Sequence, residues 1–230
     1  MKKKNIDAIL LAAGKGERAG GNYKQFVHVH QKPLIFYSLE KIVRISCLRN
    51  IIVVVPLQKI NFAKKIIYER FKDPRIHIIP GGATRRISSY IALSCSEKKG
   101  NTDFIVFHEA ARPLITTTMV YSVIKEAMRC GAAITGIPAI DTVAKVKDMF
   151  ITSIPDRKKM FYVYLPQCFR FSWIIKAHRD KKNKILELEN AENTELLVNM
   201  GKRIKIVNFY PNFKFTYSPD IKVISAFFKK

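Results

Sequence analysis

A glycine-containing segment near the start of the chain has the composition of a phosphate-binding loop. It reads Leu11-Ala12-Ala13-Gly14-Lys15-Gly16-Glu17-Arg18, and Lys24 follows it. Small residues let a backbone approach phosphates and a base closely, and the two glycines can adopt positive φ. Arg18 and Lys24 add fixed positive charge. The segment lacks the Gly-Lys-Ser/Thr ending of an NTPase loop and the third glycine of the dinucleotide fingerprint, which excludes both motifs.

Three later segments carry polar groups that suit a nucleotide and a phosphorylated acceptor. Gly81-Gly82-Ala83-Thr84-Arg85-Arg86-Ile87-Ser88 offers backbone amides, an arginine and a hydroxyl. In His108-Glu109-Ala110-Ala111-Arg112-Pro113, the Glu109 carboxylate can hold Mg²⁺ and the Arg112 guanidinium can hold a substrate phosphate. Asn212-Phe213-Lys214-Phe215-Thr216 brings another cation. Each segment alone also fits a structural interpretation: a glycine turn with an N-cap, a surface ion pair, or an edge strand.

The elements that must position these motifs alternate between strands and helices over the first 140 residues. Strands are predicted at residues 6–12, 50–56, 75–80, 103–108 and 132–138, and helices at 33–45, 58–71, 84–96 and 117–130. This alternation indicates an α/β fold with a doubly wound, mostly parallel sheet. Ligands sit at the carboxyl ends of such strands, so the loops after residues 12, 80, 108 and 138 should converge on one crevice.

The pattern changes after residue 138. Residues 141–166 are interpreted as a projecting β-arm, with short strands at 142–146 and 160–164. An isolated two-stranded arm buries little surface, so we expect it to dock on a partner subunit. Helices near 172–179 and 191–200, a strand at 203–209 and a helix from 219 complete the prediction. We interpret the 230 residues as one domain.

Composition restricts the class of protein. Hydrophobic residues make up 48% and charged residues 26%, and no run approaches the roughly 18 apolar residues of a membrane span. The four cysteines are widely spaced, which favours reduced thiols in the cytoplasm. The formal net charge of +23 is dispersed, without a recognition helix or aromatic platform, so we expect a solvated basic surface and no nucleic acid. Weak attraction to a polyanion or acidic partner is the alternative.

Taken in order, these segments resemble the 2-C-methyl-D-erythritol 4-phosphate cytidylyltransferase family of the non-mevalonate isoprenoid pathway, over nearly the whole chain. The landmarks are the Ala-Ala-Gly-x-Gly-x-Arg loop, Lys24-Gln25-Phe26, Gly81-Gly82 with Arg85 and Ser88, Ala110-Ala111-Arg112-Pro113, Asp141-Thr142, Asp156-Arg157, Pro166-Gln167 and Asn212-x-Lys214-x-Thr216. The stretch Pro166-Gln167-Cys168-Phe169-Arg170-Phe171 also looks like the cytidylyltransferase half of bifunctional enzymes that carry a cyclodiphosphate synthase.

The resemblance implies Mg²⁺-dependent cytidylyl transfer from CTP to methylerythritol 4-phosphate, with release of pyrophosphate. The implied catalytic residues are Arg18, Lys24, Lys214 and Arg157. The implied nucleotide-binding residues are Ala12, Ala13, Gly14, Gly16, Gly81, Gly82, Arg85, Ser88 and Ala110. The implied acceptor-binding residues are Arg112, Thr142, Arg157 and Lys214, and Glu109 would bind the metal. Because Thr142 and Arg157 would reach a neighbouring subunit's site, the resemblance also implies a homodimer.

The chain departs from the family pattern at several positions. Glu109 replaces an aspartate, Tyr23 a proline, Ala83 an acidic residue and Leu165 a threonine, and Ala191-Glu192-Asn193 replaces Thr-Asp-Glu or Thr-Asp-Asp. Some of these positions would line the acceptor pocket. Two alternatives therefore stay open: a nucleotidyltransferase for another polyol phosphate such as ribitol 5-phosphate, and a catalytically weakened protein that binds nucleotide or an acidic partner.

Overall fold

The structure, a computed structural model, describes residues 4–16, 23–180, 192–210, 212–217 and 219–228. Its strands are β1 (Ile6–Leu11), β2 (His28–Val29), β3 (Lys32–Pro33), β4 (Leu48–Val55), β5 (Ile76–Pro80), β6 (Phe104–Glu109), β7 (Ala132–Pro138), β8 (Lys145–Lys147), β9 (Phe150–Ser153), β10 (Phe161–Arg170) and β11 (Lys205–Asn208). Its helices are α1 (Leu34–Ile42), α2 (Ile60–Arg70), α3 (Arg85–Lys98), α4 (Thr117–Cys130), α5 (Phe171–Arg179), α6 (Asn193–Asn199) and α7 (Asp220–Ala226). Short 3₁₀ turns lie at Lys24–Phe26, Leu57–Lys59 and Arg157–Lys159.

One large sheet organises the described residues. Its seven strands follow the order β11-β7-β10-β6-β1-β4-β5. Strand β1 runs parallel to β4 and β6, β4 runs parallel to β5, and β7 runs parallel to β11. Strand β10 is antiparallel to both of its neighbours, β6 and β7. The predicted α/β fold with a mostly parallel sheet is therefore confirmed.

The sheet is covered by helices on both faces, because its central strands are apolar on both sides. All six residues of β1 are buried. Leu10 belongs to a core cluster with α1, α2 and α4, whereas Ile9 belongs to a second cluster with α3, α5 and α6. Successive side chains of a strand point to opposite faces, so these two clusters are the two outer layers of a doubly wound fold.

N-cap residues in the sequence set where two crossover helices, α3 and α4, begin. The Thr84 hydroxyl accepts a hydrogen bond from the backbone N of Ile87 at 3.2 Å and caps α3. Thr116 caps α4 in the same way, through the backbone N of Met119 at 3.1 Å. Side-chain oxygens at this position satisfy amides that lack a partner inside the helix. Both helices consequently begin just after the loops that follow β5 and β6.

Most predicted elements agree with the structure to within a few residues. The predicted strand 132–138 and helix 117–130 coincide with β7 and α4. The predicted helix 191–200 begins at a residue outside the described ranges, and α6 begins at Asn193. The β2–β3 hairpin was not predicted, because strands of two residues are too short to show an alternating pattern.

The predicted strand pairing within the arm was wrong. The hairpin pairs β8 with β9, whereas residues 161–170 form a ten-residue strand that enters the main sheet. Because a proline cannot donate to a ladder hydrogen bond, Pro166 gives no sign in the sequence that the strand continues through it. In the structure, the register between β10 and β7 shifts between Tyr164 and Gln167. The proline therefore lies at an irregularity that the sheet tolerates.

Several apolar side chains of the β8–β9 hairpin face solvent. Met149 is 92% exposed, Phe150 77% and Ile151 65%. A contiguous apolar surface of this kind marks an interaction site more often than a solvated one. In the described part of the chain, no helix has the length and apolar character needed to cross a membrane.

The end of α4 gives a test of the packing. Gly131 has φ +92°, and a Cβ there would lie 2.3 Å from the nearest atom of the Trp173 ring. Gly100 has φ +81°, but a Cβ there would have no described atom within 4 Å apart from those of its chain neighbours. We expect Gly131→Ala to destabilise the protein by about 2–4 kcal/mol, from backbone strain and overpacking together. Gly100→Ala carries only the backbone strain, about 1 kcal/mol.

Denaturant titration of both variants measures this difference. Equal losses of stability at the two positions would contradict the packing of Trp173 against the end of α4.

Candidate active site

A cleft of about 740 Å³ lies at the carboxyl ends of β1, β4, β5 and β6. Most of the site residues expected from the sequence line it: Ala12, Ala13, Gly14, Gly16, Lys24, Gly81, Gly82, Arg85, Ser88, Glu109, Ala110 and Lys214. Arg112, Thr142 and Arg157 are not among the lining residues. Arg18 lies outside the described residues, so its role stays a prediction. The expected crevice at the carboxyl edge of the sheet is thus present in the structure.

The loop after β1 forms one wall of the cleft. The backbone N of Ala12 donates to the Val54 carbonyl at 2.8 Å and continues the sheet ladder by one residue. The Gln25 side-chain amide then donates to the Ala12 carbonyl at 2.6 Å. Because Gln25 is buried, this bond ties the turn that carries Lys24 to the end of β1.

The paired glycines after β5 form a neighbouring part of the cleft wall. A Cβ on Gly81 would lie 2.4 Å from the Ala13 Cβ and 2.8 Å from the Ser88 hydroxyl, so only glycine permits this approach. The backbone N of Gly82 donates to the Ser88 hydroxyl at 3.1 Å. Ser88 therefore holds the loop in position, and its direct contact with a nucleotide stays a prediction.

A buried carboxylate with three cations around it dominates the electrostatics of the cleft. Glu109 Oε1 lies 3.2 Å from Arg85 Nη2, and Glu109 Oε2 lies 3.2 Å from both Arg112 Nε and Lys214 Nζ. Burial by itself would raise the pKa of the Glu109 carboxyl, but the charges of Arg85, Lys214 and Arg112 hold that pKa at about 2. These four side chains therefore carry two net positive charges at neutral pH, of which the ion pair of Arg85 with Glu192 offsets one.

Arg85 connects this cluster to a second carboxylate. Its guanidinium also forms an ion pair with Glu192, the residue immediately before α6. Both terminal nitrogens of Arg85 are shielded from solvent, and this burial lowers the pKa of the guanidinium against the opposing effect of Glu109. Arg85 lines the cleft, but its charge is directed at Glu109 and Glu192.

Arg112 contacts Glu109 at the cleft and is fixed from several sides. Its Nη1 donates to the Asn212 carbonyl at 2.7 Å, and its guanidinium carbon lies 5.5 Å from the centre of the Tyr164 ring. The His108 ring lies 3.0 Å from the Arg112 carbonyl, through Nε2. Burial lowers the pKa of His108 to about 4, so the ring is neutral at neutral pH and supports the turn rather than adding charge.

Comparison with known proteins identifies the family. The model of the 2-C-methyl-D-erythritol 4-phosphate cytidylyltransferase family matches residues 6–230. A relative of that name from Desulforamulus reducens is 31% identical over 230 residues, covering 98% of this chain and 97% of the relative. This chain belongs to the 2-C-methyl-D-erythritol 4-phosphate cytidylyltransferase family. A second relative of that name, from Clostridium perfringens, is also 31% identical, covering 97% of this chain and 99% of its own length.

Solved structures share the fold of this family member. The 4-diphosphocytidyl-2C-methyl-D-erythritol synthase of Anaerococcus prevotii has a TM-score of 0.86 at 23% identity and covers 99% of this chain and 97% of its own. The bifunctional enzyme of Campylobacter jejuni has a TM-score of 0.76 at 22% identity, and the match covers 95% of this chain and 54% of that one. The nucleotidyltransferase fold expected from the motifs is thereby confirmed.

The arm residues lie away from the cleft of their own chain. Arg157 starts a 3₁₀ turn whose N-cap is Asp156, and its Nη1 donates to the Ile140 carbonyl at 3.0 Å. Arg157 is exposed, as is Thr142. The structure therefore does not bring these two predicted residues to the described site within one subunit.

One converging loop was predicted wrongly and one was missed. The loop after β7 does not contribute to the lining, because β10 separates β7 from β6 in the sheet. The turn after β4 does contribute, through Leu57 and Gln58. A signal for it existed, since Pro56 ends a buried, β-branched strand at the same edge as β1. Gln25 gave no such signal, because an amide next to a lysine has no typical role.

The geometry does not fit Glu109 as a ligand of a protein-held metal. Both of its oxygens already contact cations, and a divalent ion would have to displace or repel them. Within the described ranges, no group of three His, Cys, Asp or Glu side chains is placed to hold a metal ion. Glu109 instead anchors the positive charges of the site.

Substitution of Glu109 tests this role through stability against pH. The folded pKa of about 2 lies below the ordinary 4.5, so the carboxylate stabilises the fold above about pH 4.5 and loses that contribution as the pH falls towards 2. We expect Glu109→Gln to be about 3 kcal/mol less stable at neutral pH, because three buried or half-buried cations lose their counter-charge. The difference from the unsubstituted protein should shrink between pH 4.5 and 2.

Denaturant titrations at a series of pH values measure this. The matched control is Glu97→Gln, which removes a carboxylate from the exposed pair with Arg179 and should change stability little. A pH-independent difference for Glu109→Gln would show that its charge is not what stabilises the cluster.

Proposed function

We propose that this protein transfers the cytidylyl group of CTP to 2-C-methyl-D-erythritol 4-phosphate, giving CDP-methylerythritol and pyrophosphate. One observation carries the proposal: the cluster of Arg85, Arg112 and Lys214 around Glu109 borders a cleft whose walls are glycine loops. Glycine loops suit the triphosphate of a nucleotide, and the excess positive charge suits a second phosphate. Family membership supports the same substrates.

The reaction needs no covalent nucleophile on the protein. An oxygen of the acceptor phosphate forms a bond to the α-phosphorus of CTP, the bond from that phosphorus to the α,β-bridging oxygen breaks, and the electron pair leaves with pyrophosphate. The acceptor phosphate is ionised at neutral pH, so no general base is required. Catalysis then consists of alignment and of stabilising negative charge on the phosphoryl oxygens.

The side chains divide into two proposed groups. Lys24, on a turn that lines the cleft, faces the triphosphate, and Lys214, at the edge of the Glu109 cluster, contacts both phosphates. Arg18 is proposed to add a further positive charge for the triphosphate. Arg112 orients the acceptor phosphate. The backbone amides of residues 12–16 and of Gly81 and Gly82, together with Ser88 and Ala110, surround the nucleotide.

We propose that Mg²⁺ arrives with CTP and takes most of its ligands from the triphosphate and water. Magnesium demands octahedral geometry, dehydrates reluctantly and is held in many nucleotide sites by phosphates with one or two carboxylates. The described cleft has Glu109 as its one lining carboxylate, already paired with cations. When bound, the ion neutralises charge on the phosphates.

Residues 1–230 are proposed to form one nucleotidyltransferase domain that acts in the cytoplasm as a homodimer through the arm. Exposed Met149 and Phe150 give the arm an apolar surface that dimer formation would bury. In such a dimer, Thr142 and Arg157 contribute to the acceptor pocket of the partner subunit. Their exposure and their absence from the lining of their own chain's cleft support this arrangement.

Pyrophosphate release with CTP, Mg²⁺ and a panel of polyol phosphates tests the proposed reaction. We expect turnover with methylerythritol 4-phosphate and a loss of 100-fold or more in kcat, on the order of that for removing one charge-stabilising donor, for Lys24→Ala and for Lys214→Ala. Lys65→Ala, on the exposed side of α2, is the matched control. Turnover with ribitol 5-phosphate alone would contradict the proposed acceptor, and nucleotide binding without turnover would contradict an enzyme.

Mixed dimers test the role of the arm. Arg157→Ala and Lys24→Ala subunits are each expected to be inactive as homodimers, because each lacks one residue at both sites. A heterodimer of the two has one intact site, so mixing should restore up to about half of the activity per heterodimer if Arg157 acts across the interface. Lack of restoration would place both residues in the same subunit's site.

A further inference from the structure

The turn that carries Lys24 is short and is held by neighbours on both sides. The backbone N of Tyr23 donates to the Lys15 carbonyl at 3.2 Å, and the backbone N of Phe26 donates to the Tyr23 carbonyl at 2.8 Å. On its inner side, Gln25 bonds to the Ala12 carbonyl. A three-residue 3₁₀ turn has few hydrogen bonds of its own, so these outside contacts set the direction of Lys24.

On its outer side, the Lys24–Phe26 turn packs against the start of α2. The Lys59 ammonium lies 5.2 Å from the centre of the Tyr23 ring and 6.0 Å from that of Phe62. The Phe26 and Phe62 rings meet edge to face at 5.3 Å. The rings on either side of Lys24 and Gln25, those of Tyr23 and Phe26, therefore both contact residues 59–62.

The backbone of Tyr23 indicates that its side chain is needed. Tyr23 has φ 44°, in the left-handed region that glycine occupies freely and a bulky residue occupies at a cost. Such a conformation persists only where the surrounding structure compensates for it. Among the described residues, the Lys59 ammonium over the Tyr23 ring is a side-chain contact that can supply part of this compensation.

Lys59 also belongs to the turn after β4, part of which lines the cleft. It ends the 3₁₀ turn Leu57–Lys59, and its two preceding residues line the cleft together with Lys24. A contact between Lys59 and Tyr23 therefore joins the turn after β4 to the turn that follows the glycine loop. The contact therefore links Lys24 to the other lining residues Leu57 and Gln58.

We propose that Lys59 is a positioning residue for Lys24. Its ammonium holds the Tyr23 ring by a cation–π contact and so fixes the turn that directs Lys24 into the cleft. This inference rests on the proposed binding of CTP at that cleft. Lys59 itself does not contact the substrate; its effect passes through Tyr23 and disappears when Lys24 is absent.

CTP affinity, measured by calorimetry in the presence of Mg²⁺ and without acceptor, tests the inference directly. We expect Lys59→Met to weaken CTP binding about two- to fivefold, the range of an exposed or partly exposed cation–π contact. Lys59→Arg should retain the affinity, because a guanidinium also binds an aromatic face. Lys64→Met, which removes the same charge from an exposed position on α2, should leave the affinity unchanged. An equal loss for Lys64→Met would overturn the inference in favour of a general charge effect.

A double-mutant cycle separates positioning from direct contact. In a Lys24→Ala background, Lys59→Met should cause no further loss of CTP affinity, because there is no lysine left to position. The same two- to fivefold loss in that background would show that Lys59 acts on the nucleotide independently, and would overturn the proposal.

Substitutions of Tyr23 give a second, independent test. Tyr23→Phe keeps the ring and should bind CTP as well as the unsubstituted protein, whereas Tyr23→Gly relieves the backbone but should match the loss of Lys59→Met. Undiminished affinity in Tyr23→Gly would overturn the role of the ring. Because these measurements need no acceptor, they remain decisive if turnover with methylerythritol 4-phosphate fails. An unsubstituted protein that does not bind CTP would overturn the inference and the proposed function together, whereas CTP binding without that turnover would count against the acceptor alone.

Discussion

The buried negative charge of Glu109 is the constraint on which the site depends. Three cations from distant parts of the chain, at the start of α3, in the loop after β6 and near residue 214, would repel one another without it. One carboxylate at the end of a central strand brings them together and leaves net positive charge for anionic ligands. The sheet places that strand beside β1, so the same edge presents the glycine loop and the cations.

The fold was largely predictable because its strands and helices carry strong local patterns. Strand β7 and helix α4 were predicted to the residue, and the glycine loops were assigned to the correct edge. Only the first part of strand β10 was predicted, at 160–164, because a proline at an irregularity looks the same in sequence as a proline that ends a strand. Its insertion between β6 and β7 is a long-range pairing that local patterns do not encode.

The site was predictable in its residue types and less so in its pairings. Glu109 was assigned to a metal because a carboxylate near phosphate loops suits magnesium, yet its neighbours are Arg85 and Lys214, 24 and 105 positions away in the chain. From its residue type alone, a glutamate such as Glu109 can be either a ligand of a metal ion or the ion-pair partner of arginine and lysine side chains. The contacts of Gln25 and Glu192, which the resemblance names without a role, were missed for the same reason, since their partners are remote in sequence.

The position of β10 has a consequence for the order in which the protein forms during synthesis. Strands β1, β4, β5 and β6 are neighbours made from the first 109 residues, so they can pair while the rest of the chain is still being translated. The free edge of β6 can pair only after residues 161–170 have been synthesised. Strand β7 is connected to β6 through β10, which those residues form. Lys214 arrives later still. A nascent chain thus contains the residues of its nucleotide walls, together with Arg85, Glu109 and Arg112, well before Lys214 completes the charge cluster.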